Sequence, residues 1–239
     1  ELRRAEAAKV AERDEFIAVA AHELKTPITS LRLAVQFLRR EAERGAAPDS
    51  EQLRDSLLTI ESQSQRLGRL VTELLETVRL QEGRMLLDKR QADVVDLVTK
   101  AVRDAQATTS RHEIVLAAPR RLRVKLDALR FLQVVSNLLD NAIKFSPDGG
   151  RIDVDLSSSK RGVVRLVVRD HGIGIAPEDR AHIFERFYQS QPSDQRAGLG
   201  LGLYVSRQIV ELHGGRITAE FPDDGGTRIV VSLSADRLD

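Results

Sequence analysis

The chain contains no cysteine. Disulfides, thiolate nucleophiles and cysteine-ligated zinc are excluded, so any chemistry rests on histidine, carboxylates, amides and hydroxyls. Tryptophan is also missing and aromatic residues make up only 4% of the sequence, so aliphatic side chains must build the core. There is no excess of charge of either sign: 37 Lys and Arg stand against 36 Asp and Glu, a net charge of +1. Such a balance does not call for nucleic acid or an anionic membrane as partner. No apolar run approaches the roughly 18 residues that cross a bilayer, and no signal-peptide pattern is present. The first residue is Glu1 rather than Met, which suggests a piece of a longer protein, acting in the cytoplasm and reaching a membrane only through a segment outside this chain.

What is present is 239 residues, 41% hydrophobic and 31% charged, enough for one large or two ordinary domains with substantial helix. Residues 1–82 read as two long helices, the first from Leu2 to Arg44. Gly45-Ala46-Ala47-Pro48-Asp49 is a short polar break, and Asp49 or Ser50 can cap the second helix. In the second helix Leu53, Leu57, Ile60, Ser64, Leu67, Val71, Leu74 and Val78 step by four and three alternately. Ile17, Ala20, Leu24, Ile28, Leu31, Val35 and Leu38 make a matching stripe in the first. One hairpin leaves apolar surface uncovered, and a second copy covering it predicts a dimeric four-helix bundle.

From Gly83 the pattern changes. Residues 83–91 read as a linker, with Met85 to Arg90 a short strand or linker, and 92–239 as an α+β sandwich with helices on one face of a mixed sheet. Ala92 to Ala107 reads as helix, Glu113 to Ala117 as strand, and Asp127 as the cap of a helix reaching Phe145. Ser146-Pro147-Asp148-Gly149-Gly150 is a turn, and Arg151 to Leu156 and Val163 to Val168 read as paired strands. Leu201 to Leu212 is helical, and Ile217 to Phe221 and Arg228 to Leu233 close as a hairpin over Gly225-Gly226.

Five stretches carry chemistry. The first is Ala21-His22-Glu23-Leu24-Lys25-Thr26-Pro27. Leu24 lies on the apolar stripe, and His22 is about 200° away around the helix, so its imidazole projects to solvent. A neutral imidazole is a nucleophile, and Glu23 beside it can orient the ring or take a proton. Pro27 has no N–H for the carbonyl of Glu23 and should bend the helix just past His22. Thr26 shares the face of His22, where its hydroxyl can position a water against a phosphorylated ring.

The second stretch, Asn137 to Phe145, places Asn137, Asn141 and Lys144 on one helical face, a set suited to phosphate-bound Mg²⁺. The third is Asp170-His171-Gly172-Ile173-Gly174-Ile175, directly after a strand. Its carboxylate can accept from the exocyclic amine of adenine, and Gly172 and Gly174 let the chain turn closely beneath a base. The fourth, Gly198-Leu199-Gly200-Leu201-Gly202-Leu203, brings backbone N–H groups at a helix start to phosphates. It is neither a Walker loop nor a dinucleotide fingerprint. The polar stretch Gln189 to Ala197 before it reads as a lid. The fifth is Gly225-Gly226-Thr227, where Thr227 can reach the adenine edge directly or through water.

Taken in order, these stretches resemble the catalytic core of sensor histidine kinases: a phosphoacceptor hairpin followed by the ATP-binding domain shared with type II topoisomerases, the ninety-kilodalton heat-shock chaperone and mismatch-repair ATPases. Phe184-Glu185-Arg186-Phe187-Tyr188 supplies the phenylalanine box of that resemblance. The resemblance implies ATP and Mg²⁺ as cofactors, His22 as phosphoacceptor and a response-regulator receiver domain as partner. It implies Asn141 as metal ligand with Asn137 assisting, Lys144 on phosphate, Phe145 near the base, Asp170 on adenine, and Gly198, Gly200 and Gly202 in the phosphate loop. In the chaperone and topoisomerase relatives the position of Asn137 is usually a glutamate that activates water. An amide cannot be that base, which favours transfer over hydrolysis. Many members have Arg where this sequence has Gln189, so a cation near the γ-phosphate must come from elsewhere, Arg186 or Arg196 being candidates. The other histidines, His112, His171, His182 and His213, are expected to be structural.

Overall fold

A computed structural model describes residues 2–44, 49–81, 83–159, 162–189 and 199–234. The chain divides into two compact units, Glu1–Val78 and Arg79–Asp239. Among the described residues no helix is long and apolar enough to cross a membrane.

The first unit is a pair of helices, α1 (Leu2–Glu43) and α2 (Ser50–Gln81). Asp49 caps α2, its Oδ1 accepting the backbone N–H groups of Glu51 at 3.0 Å and Gln52 at 2.8 Å. The expected break lies outside the described residues apart from Asp49. Helix α1 runs unbroken through Pro27. The hydroxyl of Thr26 donates to the carbonyl of His22 at 3.5 Å and that of Thr29 to the carbonyl of Lys25 at 2.9 Å, on either side of the Glu23 carbonyl that Pro27 cannot serve. The expected seam of α2 divides. Leu70 and Thr77 are buried and Ile60, Leu67 and Leu74 half-buried, whereas Leu53, Leu57 and Val71 are exposed. On α1, Ile17, Ile28 and Val35 are likewise exposed.

The second unit holds β1 (Arg90–Asp93), α3 (Val94–Gln106), β2 (His112–Ala117), β3 (Arg123–Leu126), α4 (Ala128–Lys144), β4 (Gly150–Ser158), β5 (Val163–Asp170), α5 (Gly202–Leu212), β6 (Arg216–Glu220) and β7 (Arg228–Ser234). Five strands form a mixed sheet in the order β2-β4-β5-β7-β6, with β2 parallel to β4 and the other pairs antiparallel. Alternation along β4 buries Ile152, Val154 and Leu156, as period-two strands require. Helices α3, α4 and α5 lie side by side with α4 in the middle, and α4 contributes Phe131, Val134, Val135, Leu138, Leu139 and Ala142 to the core. Each such Leu or Phe contributes about 1.5–3 kcal/mol of burial.

Most boundaries fall within one or two residues of expectation, but the entry to the second unit's sheets differs. Ala92 and Asp93 belong to β1, which pairs with β3, so α3 begins at Val94. Asp93 is its cap, the carboxylate accepting the N–H of Val95 at 3.1 Å. Strand β3 was not expected at all, although Leu122-Arg123-Val124-Lys125-Leu126 alternates apolar and basic and could have been read as a strand. Residues 84–89 form no strand.

Candidate active site

The first unit presents His22 with its ring 80% exposed, while Leu24 is half-buried. His22 Nδ1 lies 3.4 Å from Glu23 Oε1. Glu23 Oε2 is in turn 3.7 Å from the guanidinium of Arg66 on α2. Glu23 is thus steadied between the ring and the second helix. A carboxylate on Nδ1–H selects the tautomer in which Nε2 carries a bare lone pair. Arg66 is a member of the site that the sequence did not reveal, because only the hairpin brings α2 to this height. Thr26 is exposed beside His22.

In the second unit the end of α4, the end of β5 and the start of β7 meet, the Ile173 N–H donating to the carbonyl of Phe145 at 3.0 Å. Asp170, the last residue of β5, is only 7% exposed. Its Oδ1 accepts two backbone N–H groups, from Gly172 at 3.0 Å and Thr227 at 3.1 Å. Burial pushes the carboxyl above the usual carboxylate range, against the pull of those two N–H donors. Thr227 is buried, and its carbonyl accepts the Asp170 N–H at 3.0 Å while its own N–H donates to Asp170 Oδ1.

The glycines here are sterically required. A methyl group on Gly172 would stand 1.9 Å from the carbonyl oxygen of Phe145, and one on Gly226, whose φ is +72°, 2.1 Å from the carbonyl oxygen of Asp170. Both obstacles are backbone, which no rotamer can relieve. Gly172→Ala is therefore expected to destabilise the second unit by about 2 kcal/mol or more and to weaken nucleotide binding, as read by thermal melting with and without an ATP analogue. Unchanged melting would show that the α4–β5 junction gives way freely. Gly174 has φ +69° and faces the Gly226 backbone.

Asn137, Asn141 and Lys144 lie half-buried on one side of α4, away from buried Leu138, Leu139 and Ala142. The amide nitrogen of Asn137 donates to the carbonyl of Gly202 at 3.3 Å and approaches Ser206 Oγ at 3.4 Å, tying α4 to the first turn of α5. Ser206, fully buried, is a partner that sequence spacing did not suggest. Lys144 Nζ stands 4.6 Å from the centre of the Phe145 ring. Helix α5 starts without a side-chain cap at Leu201, as a helix start that receives phosphate would.

Leu199 and Leu201 are fully buried, so their side chains belong to the core and only their backbone is left for a ligand. Gly200, with φ +68°, is gripped by the phenylalanine box: its carbonyl accepts the Phe187 N–H at 3.1 Å, and Phe187 itself has φ +62°. Tyr188 donates its hydroxyl to Asp179, which pushes the phenol up to about 12. Gly198, Arg196 and the expected lid beyond Gln189 lie outside the described residues. Of the other histidines, His112 is buried between Thr109 Oγ1 at 2.7 Å and the Ser146 carbonyl at 2.8 Å, while His171 and His182 sit at the surface beside Asp153 and Glu185.

These features define two classes of part: a helical hairpin displaying a histidine, and an α/β sandwich that gathers a buried carboxylate, close-packed glycines and polar α4 side chains at its strand and helix ends. Residues 12–83 match the family described as His Kinase A (phospho-acceptor) domain, and residues 126–237 the family described as histidine kinase-, DNA gyrase B-, and HSP90-like ATPase. The chain is 34% identical over 230 residues to the sensor-like histidine kinase SenX3 of Mycobacterium tuberculosis, covering 94% of this chain and 54% of that protein. It therefore spans about half the length of the curated relatives it matches. Among solved structures it resembles a mycobacterial sensor histidine kinase, MprB, at 31% identity and TM-score 0.56 over 63% of this chain and 99% of that one. It also resembles the Acinetobacter baumannii histidine kinase AdeS at 25% identity and TM-score 0.67, over 90% of this chain and 98% of that one. The chain belongs to the histidine kinases, with the family's phosphoacceptor hairpin followed by its ATP-binding domain.

Proposed function

We propose that this chain transfers the γ-phosphoryl group of ATP to His22 and then delivers it to an aspartate of a response-regulator receiver domain. The observation that carries the proposal is the 80% exposed imidazole of His22 with a carboxylate at 3.4 Å on Nδ1, in a chain that also holds the buried carboxylate of Asp170. Nε2 forms the new P–N bond as the bond from the γ-phosphorus to the β,γ-bridging oxygen breaks. ADP leaves with that electron pair, and Glu23 holds the Nδ1 proton as positive charge grows on the ring.

The second unit fits ATP. Gly172 leaves a space that a Cβ would fill, Asp170 presents Oδ2 while Oδ1 is occupied by two N–H groups, and buried Ser146 Oγ, beside Gly172, has no partner among the described residues. The donors also fit Mg²⁺ held jointly with phosphates. No group of three His, Cys, Asp or Glu among the described residues could hold a metal alone, and a cation at Asn141 and Asn137 would complete its oxygen shell from the substrate and water. With its nitrogen committed to Gly202 and Ser206, Asn137 offers its oxygen. Bound Mg²⁺ would supply charge neutralisation on the phosphates. Lys144 adds a cation on the same face, and the backbone of the Gly200–Gly202 turn surrounds the phosphate chain.

Exposed Leu53, Leu57 and Val71 on α2 with Ile17, Ile28 and Val35 on α1 support a homodimer through a four-helix bundle. Thr26, exposed beside His22, supports a phosphatase role on the regulator by placing a water. The reaction belongs in the cytoplasm, where ATP and receiver domains are found. Incubation with γ-labelled ATP and Mg²⁺ tests the central step. An acid-labile label on the chain is expected, and an acid-stable label or none would overturn it.

A further inference from the structure

The segment Met85–Lys89, which connects α2 to β1 within the second unit, is pinned without forming a strand. The Asp88 N–H donates to Asp127 Oδ2 at 3.0 Å, the Lys89 ammonium donates to the carbonyl of Leu212 at 3.3 Å, and Met85 is buried. Asp127 is the cap of α4, its Oδ1 accepting the N–H of Arg130 at 3.1 Å. Its own N–H donates to Nε2 of His213 at 3.1 Å. His213 follows α5, and its Nδ1 donates to the carbonyl of Ile209 at 2.8 Å. One ring nitrogen must accept and the other must donate, so this geometry holds only for the neutral Nδ1–H tautomer.

The charged groups facing the ring are Lys89 from the connecting segment, Asp127 from the α4 cap and Lys125 from β3, which shares a small cavity with His213. Burial of the half-buried ring lowers its affinity for a proton below the ordinary value of 6.5. Lys89 acts in the same direction, whereas the Ile209 carbonyl and the Asp127 carboxylate act against it.

We propose that His213 is a proton-sensitive latch: neutral, it holds the connecting segment on the ATP-binding unit and so positions bound nucleotide for transfer to His22; protonated, it releases the segment, and transfer slows while ATP still binds. A second N–H at Nε2 would meet the Asp127 N–H donor to donor. An acceptor close enough to act on the ring's charge is the Asp127 carboxylate, whose two oxygens already cap α4 and hold Asp88. Either rearrangement loosens Asp88. This segment lies on the covalent path from His22 to the nucleotide site, so its freedom adds directly to the entropic cost of aligning γ-phosphate and imidazole. His213 is a positioning residue, remote from the Asp170 pocket. Because its folded-state proton affinity is lowered, its stabilising contribution is complete above 6.5 and is lost as pH falls from there through the lower folded-state value.

The latch rests on the reading of His22 as phosphoacceptor, and the test separates the two. Initial labelling rates of the full chain are compared with those of His213→Gln, which can accept from the Asp127 N–H and does not titrate. The ratio of wild type to variant cancels every other titration, His22 included. It should be level well above the ring's own NMR midpoint and fall by roughly threefold to tenfold as pH is lowered through that midpoint, the loss of one part-buried hydrogen bond, with affinity for a fluorescent ATP analogue unchanged. Lys89→Ala should move the fall to higher pH. Nitrogen NMR of the wild-type ring should show a bare Nε2 at neutral pH and a midpoint below 6.5. A level ratio throughout, a protonated Nε2 at neutral pH, or ATP affinity falling in step with labelling would overturn the latch. If the chain takes no label at any pH, the His22 reading fails. Amide exchange at Asp88 then decides the latch: acceleration on acidification in wild type but not in His213→Gln supports it, and equal behaviour overturns it.

Discussion

His22→Gln is expected to abolish acid-labile labelling from ATP, a loss of at least about a thousandfold, because the amide has no lone pair able to form the P–N bond. Affinity for ATP should stay within about twofold and stability within about 0.5 kcal/mol, since the ring is 80% exposed and packs against nothing that collapses. That combination separates a lost nucleophile from a misfolded hairpin. Glu23→Gln provides an internal comparison. It leaves the nucleophile but weakens the hold on the Nδ1 proton and removes the charge partner of Arg66, so labelling should fall by about a hundredfold rather than vanish. Labelling is read as acid-labile, base-stable phosphate after quenching. Undiminished labelling of His22→Gln would move the acceptor to another residue, and equal losses in both variants would deny Glu23 a role separate from His22.

The elements that could be read from the sequence are those whose signals are local. The Asp49 and Asp127 caps, the two-sided face of α4 and the Asp-Gly turn after β5 each follow from residues within about one turn of one another, where spacing decides orientation. The parts that were missed depend on distant partners. The β1–β3 ribbon has four residues per strand, too short for periodicity to outweigh the charged residues around it, and it exists because the two segments pair. Arg66 meets Glu23 across the hairpin, and Ser206 meets Asn137 across two helices separated by much of the sheet in sequence. The α2 seam was read as one stripe, but Leu70 and Thr77 lie on a row rotated from Leu53, Leu57 and Val71. A helix with two apolar rows looks like a single broad stripe until a neighbour covers one of them. Leu199 and Leu201 were counted with the glycine loop because they sit inside the motif; their full burial assigns their side chains to the core.

Asp170→Asn should produce opposite changes in binding and stability. The amide oxygen can keep both bonds now made by Oδ1, to Gly172 and Thr227, so the turn has no reason to open. In the proposed site Oδ2 would accept from the adenine amine, and the variant would present an NH₂ group there, setting donor against donor. The expected cost is about 2–3 kcal/mol, or roughly a hundredfold in ATP affinity, with labelling of His22 falling in proportion at subsaturating ATP. Stability should rise. A carboxyl whose folded-state value lies above the usual 3.8 binds protons more tightly folded than unfolded, so its charged form works against folding once pH exceeds that range. The neutral amide removes that penalty, and the melting temperature of ligand-free protein at neutral pH should increase, with the gap from wild type closing as pH falls toward 3.8. Weaker binding together with a lower melting temperature would mean that Asp170 is chiefly a structural clamp for Gly172 and Thr227. Unchanged ATP affinity would remove it from the purine site altogether. Only weaker binding to a more stable protein fits a carboxylate kept buried and charged for the base it reads.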